Sequence, residues 1–143
     1  MRRALLDVNV LIALLDRDHV HHARACQWLS GRRRARWASC PITVNGCVKI
    51  MSQAAYANPL PAAAVIERLD RATRHASHEF WPADVSLLDE RLIIRSRVLG
   101  PRQVTDLYLL SLAVKHSGCF ATFDGAIPRS AVAGAGQEHV AVL

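Results

Sequence analysis

The sequence predicts an α/β fold: a central, mostly parallel sheet covered by helices on both faces, a three-layer α/β/α sandwich. Short apolar runs of strand character alternate with segments of helical periodicity along the whole chain. Caps and breakers punctuate those segments, and two of the strand-like runs end in an aspartate. A chain of 143 residues suits one compact domain spanning 1–143.

Arg3 to Asp7 reads as a short buried strand, followed at once by a helical pattern from Val10 to Leu15. Val20, Ala23, Cys26 and Leu29 keep helix spacing over His19 to Leu29, with Gly31 as a stop. Arg36 to Ser39 is a candidate second strand. Pro41 then opens a helix from Ile42 to about Gln53, although Gly46 weakens it by about 1 kcal/mol relative to alanine. After the loop Asn58-Pro59-Leu60-Pro61, a helix is expected from Ala62 to about Ala76, with Val65, Ile66 and Leu69 on one face. Glu79 to Pro82 looks like a short edge strand. Asp84 is expected to cap a helix from Val85 to Val98 that Gly100-Pro101 ends. Thr105 is expected to cap a long apolar helix from Asp106 to about Ser117, closed by Gly118. Cys119 to Phe123 forms a strand ending at Asp124, and His139 to Leu143 a last one.

Composition narrows the class. Hydrophobic residues make up 51% and charged residues 21%, the balance of a chain that buries a core rather than a disordered one. No apolar run approaches the roughly 20 residues of a membrane span, and no secretory signal follows the basic start. Cys26, Cys40, Cys47 and Cys119 form no C-x-x-C pair and sit among apolar neighbours, which fits reduced, buried thiols in a cytoplasmic protein. The net charge of +6, concentrated at Arg32, Arg33, Arg34 and Arg36, attracts polyanions such as RNA or acidic proteins, and equally suits a solvated loop.

Ligands of open parallel sheets bind outside the carboxyl ends of the strands. Asp7 and Asp124 both end strands there, and Asp106 starts a helix whose leading loop can lie on the same edge. Three bare carboxylates brought together repel one another, and a hard divalent cation removes that conflict. Such a cation also draws in phosphate and acidifies water, the chemistry of a metal-dependent phosphodiesterase. Singly, Asp106 also reads as a first-turn acid and Asp124 as a turn residue. Asp7, between Leu6 and Val8, is costly unless used. His19, His21 and His22 do not share one helix face, which favours surface or capping roles over a metal site.

The stretches LLDVNVLIALLD, HVHHARACQWL, RWASCPITVNGCVKI, VTDLYLLSLAVKHSG and ATFDGAI resemble the PIN-domain family, and within it the VapC-type ribonuclease toxins of type II toxin–antitoxin systems. That resemblance implies Mg²⁺- or Mn²⁺-dependent cleavage of RNA, a homodimer, and inhibition by a cognate antitoxin. It assigns Asp7, Asp106 and Asp124 to three acidic metal-site positions, with Asn9, Thr105 and Thr122 as supporting polar residues. It also implies an antitoxin surface near Leu11 to Leu15 and Ile42 to Met51, residues that equally read as core.

One departure stands out. Where relatives read C-P-x-T-E-x-G, this chain reads Cys40-Pro41-Ile42-Thr43-Val44-Asn45-Gly46, so Val44 occupies the position of a fourth acid. Asn45 is turned about 100° away around the helix, and Lys49 stands where relatives often carry arginine. Three explanations fit: an enzyme that works with three carboxylates, a weakened or inactive member kept for binding antitoxin or RNA, or a deliberate inactivating substitution. A phosphotransferase using Asp7 as nucleophile is disfavoured, because Asn9 cannot supply the proton that a second acid would.

Overall fold

The computed structural model describes residues 2–32 and 36–143 and contains one five-stranded sheet. In chain order the elements are β1 (Ala4–Leu6), α1 (Val8–Leu15), α2 (His22–Gly31), β2 (Trp37–Ser39), α3 (Pro41–Ser52), α4 (Ala62–Thr73), β3 (His78–Phe80), α5 (Val104–Lys115), β4 (Cys119–Thr122) and β5 (Val140–Val142). The strand order is β3-β2-β1-β4-β5, and every pairing is parallel. Parallel neighbours require crossovers, and helices cover both faces as the sequence predicts.

Alternation along the central strands divides the core in two. Ala4, Leu6, Trp37, Cys119 and Ala121 face a cluster built by α1, α2, α3 and α4, which contribute Leu11, Ala25, Cys47 and Leu69 among others. Leu5, Ala38 and Phe120 point the other way, against α5 and the loops that carry Trp81, Ile93 and Val132. Gly46 has a packing reason: a Cβ there would lie 2.8 Å from Val8 Cγ2, so the missing side chain lets α3 close on α1. All four cysteines are free, and burial pushes the Cys47 thiol up to about 12.

The expected helix from Val85 to Val98 does not form. Asp84 does not cap it; its carboxylate pairs with His116 Nε2 at 3.0 Å and Lys115 Nζ at 3.4 Å. Local side chains claim the backbone instead, since Ser86 Oγ accepts from Leu88 N–H and Asp89 Oδ1 from Arg91 N–H. Ile94 N–H donates to Ala131 O and Ala133 N–H to Leu92 O, which ties the segment across to the loop after β4. Only one 3-10 turn, Arg95–Arg97, survives.

Smaller corrections have equally local causes. Ile66 leaves the buried face of α4 and is 55% exposed, while Val65 and Leu69 are buried. α2 starts at His22 because turns occupy the residues before it, and Gly31 is its last residue rather than a stop beyond it. Thr105 is not a cap: α5 begins at Val104, directly after a 3-10 turn over Pro101–Gln103. Its far end closes through Ser117, which takes the left-handed φ of 54°. Ser117 N–H donates to Val114 O and Gly118 N–H to Ala113 O, a Schellman closure.

Gly118 is needed for space. A Cβ there would sit 2.7 Å from the Arg3 carbonyl oxygen and 2.5 Å from Trp81 Cη2. Gly118→Ala is therefore expected to destabilise the fold by about 1–3 kcal/mol, read as a lowered denaturation midpoint. An unchanged midpoint would show that the α5–β4 join is looser than described.

Candidate metal centre

β1 and β4 are paired neighbours, with Leu6 opposite Ala121. Their carboxyl ends therefore deliver Asp7 and Asp124 to the same edge of the sheet. Asp7 N–H donates to Ala121 O at 2.9 Å, the last bond of that pairing before the chain turns into α1. Asp106 enters from the other side, in the first turn of α5. Together with Asn9, Thr122 and Phe123, the three aspartates line one cavity of about 340 Å³. No Lys, Arg or His is among those lining residues.

Thr122 holds two of the acids in register. Its hydroxyl donates to Asp7 Oδ2 at 2.8 Å and accepts from Asp124 N–H at 3.1 Å. The other Asp7 oxygen accepts from Val8 N–H at 2.8 Å, at the positive end of α1. Asp124 Oδ1 accepts from Ala126 N–H at 2.8 Å, so this residue both shapes the turn after β4 and faces the cavity. No hydrogen bond reaches the Asp106 carboxylate among the described residues.

The electrostatics follow from this crowding. Burial raises the Asp7 pKa above 3.8, Asp124 adds to the rise, and the bonds from Thr122 and Val8 offset part of it. Asp106 is pushed up to about 6, first by burial and then by the charges of Asp7 and Asp124. Uncompensated carboxylates that share a water-accessible cavity form an oxygen donor set suited to a hard divalent cation. Among the described residues, no three Asp, Glu, His or Cys side chains close on a single point tightly enough to enclose an ion unaided. Mg²⁺ typically keeps several waters and binds protein through one or two carboxylates, so an open donor set still fits it.

The remaining site candidates fall in different places. Asn9 is exposed in the first turn of α1 and lines the cavity, whereas Thr105 is exposed on α5 outside it. Val44 lines a second cavity of about 450 Å³, with Ser39, Leu69, His78 and Phe80 among its neighbours. There the buried Ser39 hydroxyl meets His78 Nε2 at 2.8 Å, and His78 Nδ1 meets Thr73 O at 3.0 Å, a clasp between β2, β3 and α4. Arg32 and Arg36 flank the connection from α2 into β2, at the edge of the sheet opposite the carboxyl ends, and Arg33 and Arg34 lie outside the described residues. The three histidines do not converge on a metal: His22 Nδ1 meets Ala13 O at 2.7 Å, and His19 Nδ1 accepts from His21 N–H at 3.0 Å. Sequence reading missed Phe123 as a cavity residue. Its position between Thr122 and Asp124, just past the last paired residue of the strand, was the available signal.

A model of the PIN domain matches residues 4–132. Over 141 residues the chain is 55% identical to Ribonuclease VapC44 of Mycobacterium tuberculosis, covering 99% of each chain. It is 44% identical over 133 residues to Ribonuclease VapC39 of the same species, covering 92% of this chain and 95% of that one. The crystal structure of PAE2754 from Pyrobaculum aerophilum shares the fold with a TM-score of 0.58 at 18% identity, covering 97% of this chain and 83% of that one. With an all-parallel sheet, aspartates at its carboxyl edge and matches across almost its full length, the chain belongs to the PIN-domain family, among its VapC-type members.

Proposed function

We propose that the chain is a metal-dependent endoribonuclease toxin that cleaves RNA phosphodiesters and is inhibited by a cognate antitoxin. The observation that carries this reading is the cavity at the carboxyl edge of the sheet, shared by Asp7, Asp106 and Asp124 with no lining cation. Its VapC-type relatives are named ribonucleases. Asp7, Asp106 and Asp124 would hold a Mg²⁺ or Mn²⁺ ion, which would supply positive charge for the scissile phosphate and lower the pKa of water. Asp7 and Asp124 are the fixed donors, since Thr122 positions the first by its hydroxyl and the second by its backbone. Asp106 faces them from α5, its carboxyl pushed up to about 6 by burial and by the charges of Asp7 and Asp124, a crowding that a bound cation would relieve.

Antitoxin binding, a homodimer and a cytoplasmic location are carried over from the family resemblance. No helix among the described residues is long and apolar enough to cross a membrane. Of the expected antitoxin surface, Leu11, Ile12, Ala13, Cys47 and Met51 are buried in the core. Leu14, Leu15 and Met51 nevertheless line a cavity of about 720 Å³ whose rim carries both signs of charge, Arg17, Arg68 and Arg71 beside Asp16 and Asp18.

The test is cleavage of a mixed-sequence RNA panel by the purified chain. Cleavage that stops on chelation and returns with Mn²⁺ is expected; cleavage indifferent to chelator overturns the metal dependence. Val44 motivates a second reading, a binding module without catalysis, which predicts no cleavage at any metal concentration. Thr122→Val keeps the shape of the side chain and removes both hydroxyl contacts. A loss of about 10–100-fold in Mn²⁺ affinity is expected by calorimetric titration, and unchanged affinity would remove Thr122 from its positioning role.

A further inference from the structure

The acidic cavity has one aromatic wall. Phe123 lines it beside Asp124, and its ring is packed against His21 with centroids 4.8 Å apart and planes 36° apart. His19 extends the series, 5.7 Å from His21. The Arg24 guanidinium carbon sits 5.6 Å from the Phe123 ring centre, a cation–π contact. Arg24 is exposed, and its guanidinium donates to the main-chain oxygen of Leu143, just past β5. Val20, between His19 and His21, is 85% exposed, so this strip lies at the surface rather than under the core.

A polyanion approaching three carboxylates needs positive charge and adhesive surface close by. Arg32 and Arg36 do not supply them, because they lie at the opposite edge of the sheet, before β2. We propose that Phe123, His21 and Arg24 form the subsite for the nucleotide next to the scissile phosphate, the rings contacting its base and the guanidinium its phosphate. The subsite rests on the ribonuclease reading and adds to it a place for the substrate. Stacking on aromatic faces accepts any base, so the subsite holds single-stranded RNA without reading its sequence. A planar guanidinium both lies over a ring and donates in parallel to phosphate oxygens, which a lysine does less well.

The experiment measures binding of a fluorescein-labelled, mixed-sequence single-stranded RNA by anisotropy in chelator, across a salt series, together with steady-state cleavage in Mn²⁺. Arg24→Gln is expected to weaken binding and to lower the slope of log affinity against log salt by about 0.7. Arg24→Lys should keep the slope while binding less tightly. His21→Ala should weaken binding by about 5-fold or more and raise KM with kcat unchanged. The exposed Arg24 variants secure the test if His21→Ala folds poorly. Unchanged RNA affinity and KM in the Arg24 variants, with wild-type cleavage intact, overturn the subsite alone. The same holds if these variants weaken only the binding of a protein partner. Wild-type chain that neither binds nor cleaves RNA overturns the ribonuclease reading, and the subsite with it.

Discussion

Replacing Asp106 with asparagine is expected to lower RNA cleavage by about 100-fold or more and, in metal-free buffer, to raise the melting temperature. The first effect follows from the role proposed for Asp106 as a cation donor, since changes to outer-shell partners of metal sites alone cost about 10–100-fold. The second follows from the charge crowding in the cavity. The folded-state pKa of Asp106, about 6, lies above its ordinary 3.8, so the folded protein binds the proton more tightly than the unfolded chain. Ionised Asp106 therefore destabilises the metal-free fold above pH 6, and stability is regained as pH falls from about 6 towards 3.8. Asp106→Asn removes that dependence, which a pair of melting curves at pH 5 and pH 7.5 would reveal. Added Mg²⁺ should act in the opposite sense. It requires the deprotonated carboxylate, so its stabilisation should grow as pH rises through about 6. An Asn variant that cleaves normally would remove Asp106 from the proposed machinery, and one that melts like wild type at both pH values would show that its carboxylate does not destabilise the metal-free fold.

Val44→Glu is expected to raise cleavage by about 10-fold or more, because it adds an acid at the carboxyl edge of the sheet. β1 and β2 are paired neighbours, and α3 starts at Pro41 directly beyond β2, so position 44 stands one turn into the helix beside the one that follows Asp7. Val44 is half-buried against the core and its side chain lines the second cavity, so the glutamate must give up that packing to turn towards the acids. A lower melting temperature without metal and a larger stabilisation by Mn²⁺ should therefore accompany the gain. Unchanged cleavage and unchanged Mn²⁺ response would show that position 44 does not address the cation. Absence of cleavage in both forms, with RNA or antitoxin still bound, would support the binding-module reading.

Much of this architecture was legible because it rests on short-range rules. The alternation of Ala4, Leu5 and Leu6, the proline at the start of α3 and the aspartates past β1 and β4 act through neighbouring residues, and the sheet follows from them. The segment after Asp84 was misread because its apolar spacing fits a helix while its partners lie far away, at Lys115, His116 and Ala131. Ser117, not Gly118, takes the left-handed turn, and glycine serves the approach of Trp81 and Arg3, which no local pattern announces. The shared cavity was legible as three acids brought to one sheet edge, while Thr122 and Asn9, which also line it, came from the family resemblance. Thr105 was carried over by resemblance and lies outside the cavity, and the Phe123–His21–Arg24 strip arises only when the start of α2 meets the residue just past β4.

Titration of the purified, metal-stripped chain with Mn²⁺, followed by the paramagnetic signal of the free ion, tests the shared cavity most directly. The wild-type chain should take up the ion saturably, and Asp7→Asn, Asp106→Asn and Asp124→Asn should each weaken that uptake by about 10-fold or more. Uptake that survives in all three variants, or no uptake by the wild type near neutral pH, would contradict the view that these aspartates serve one cation.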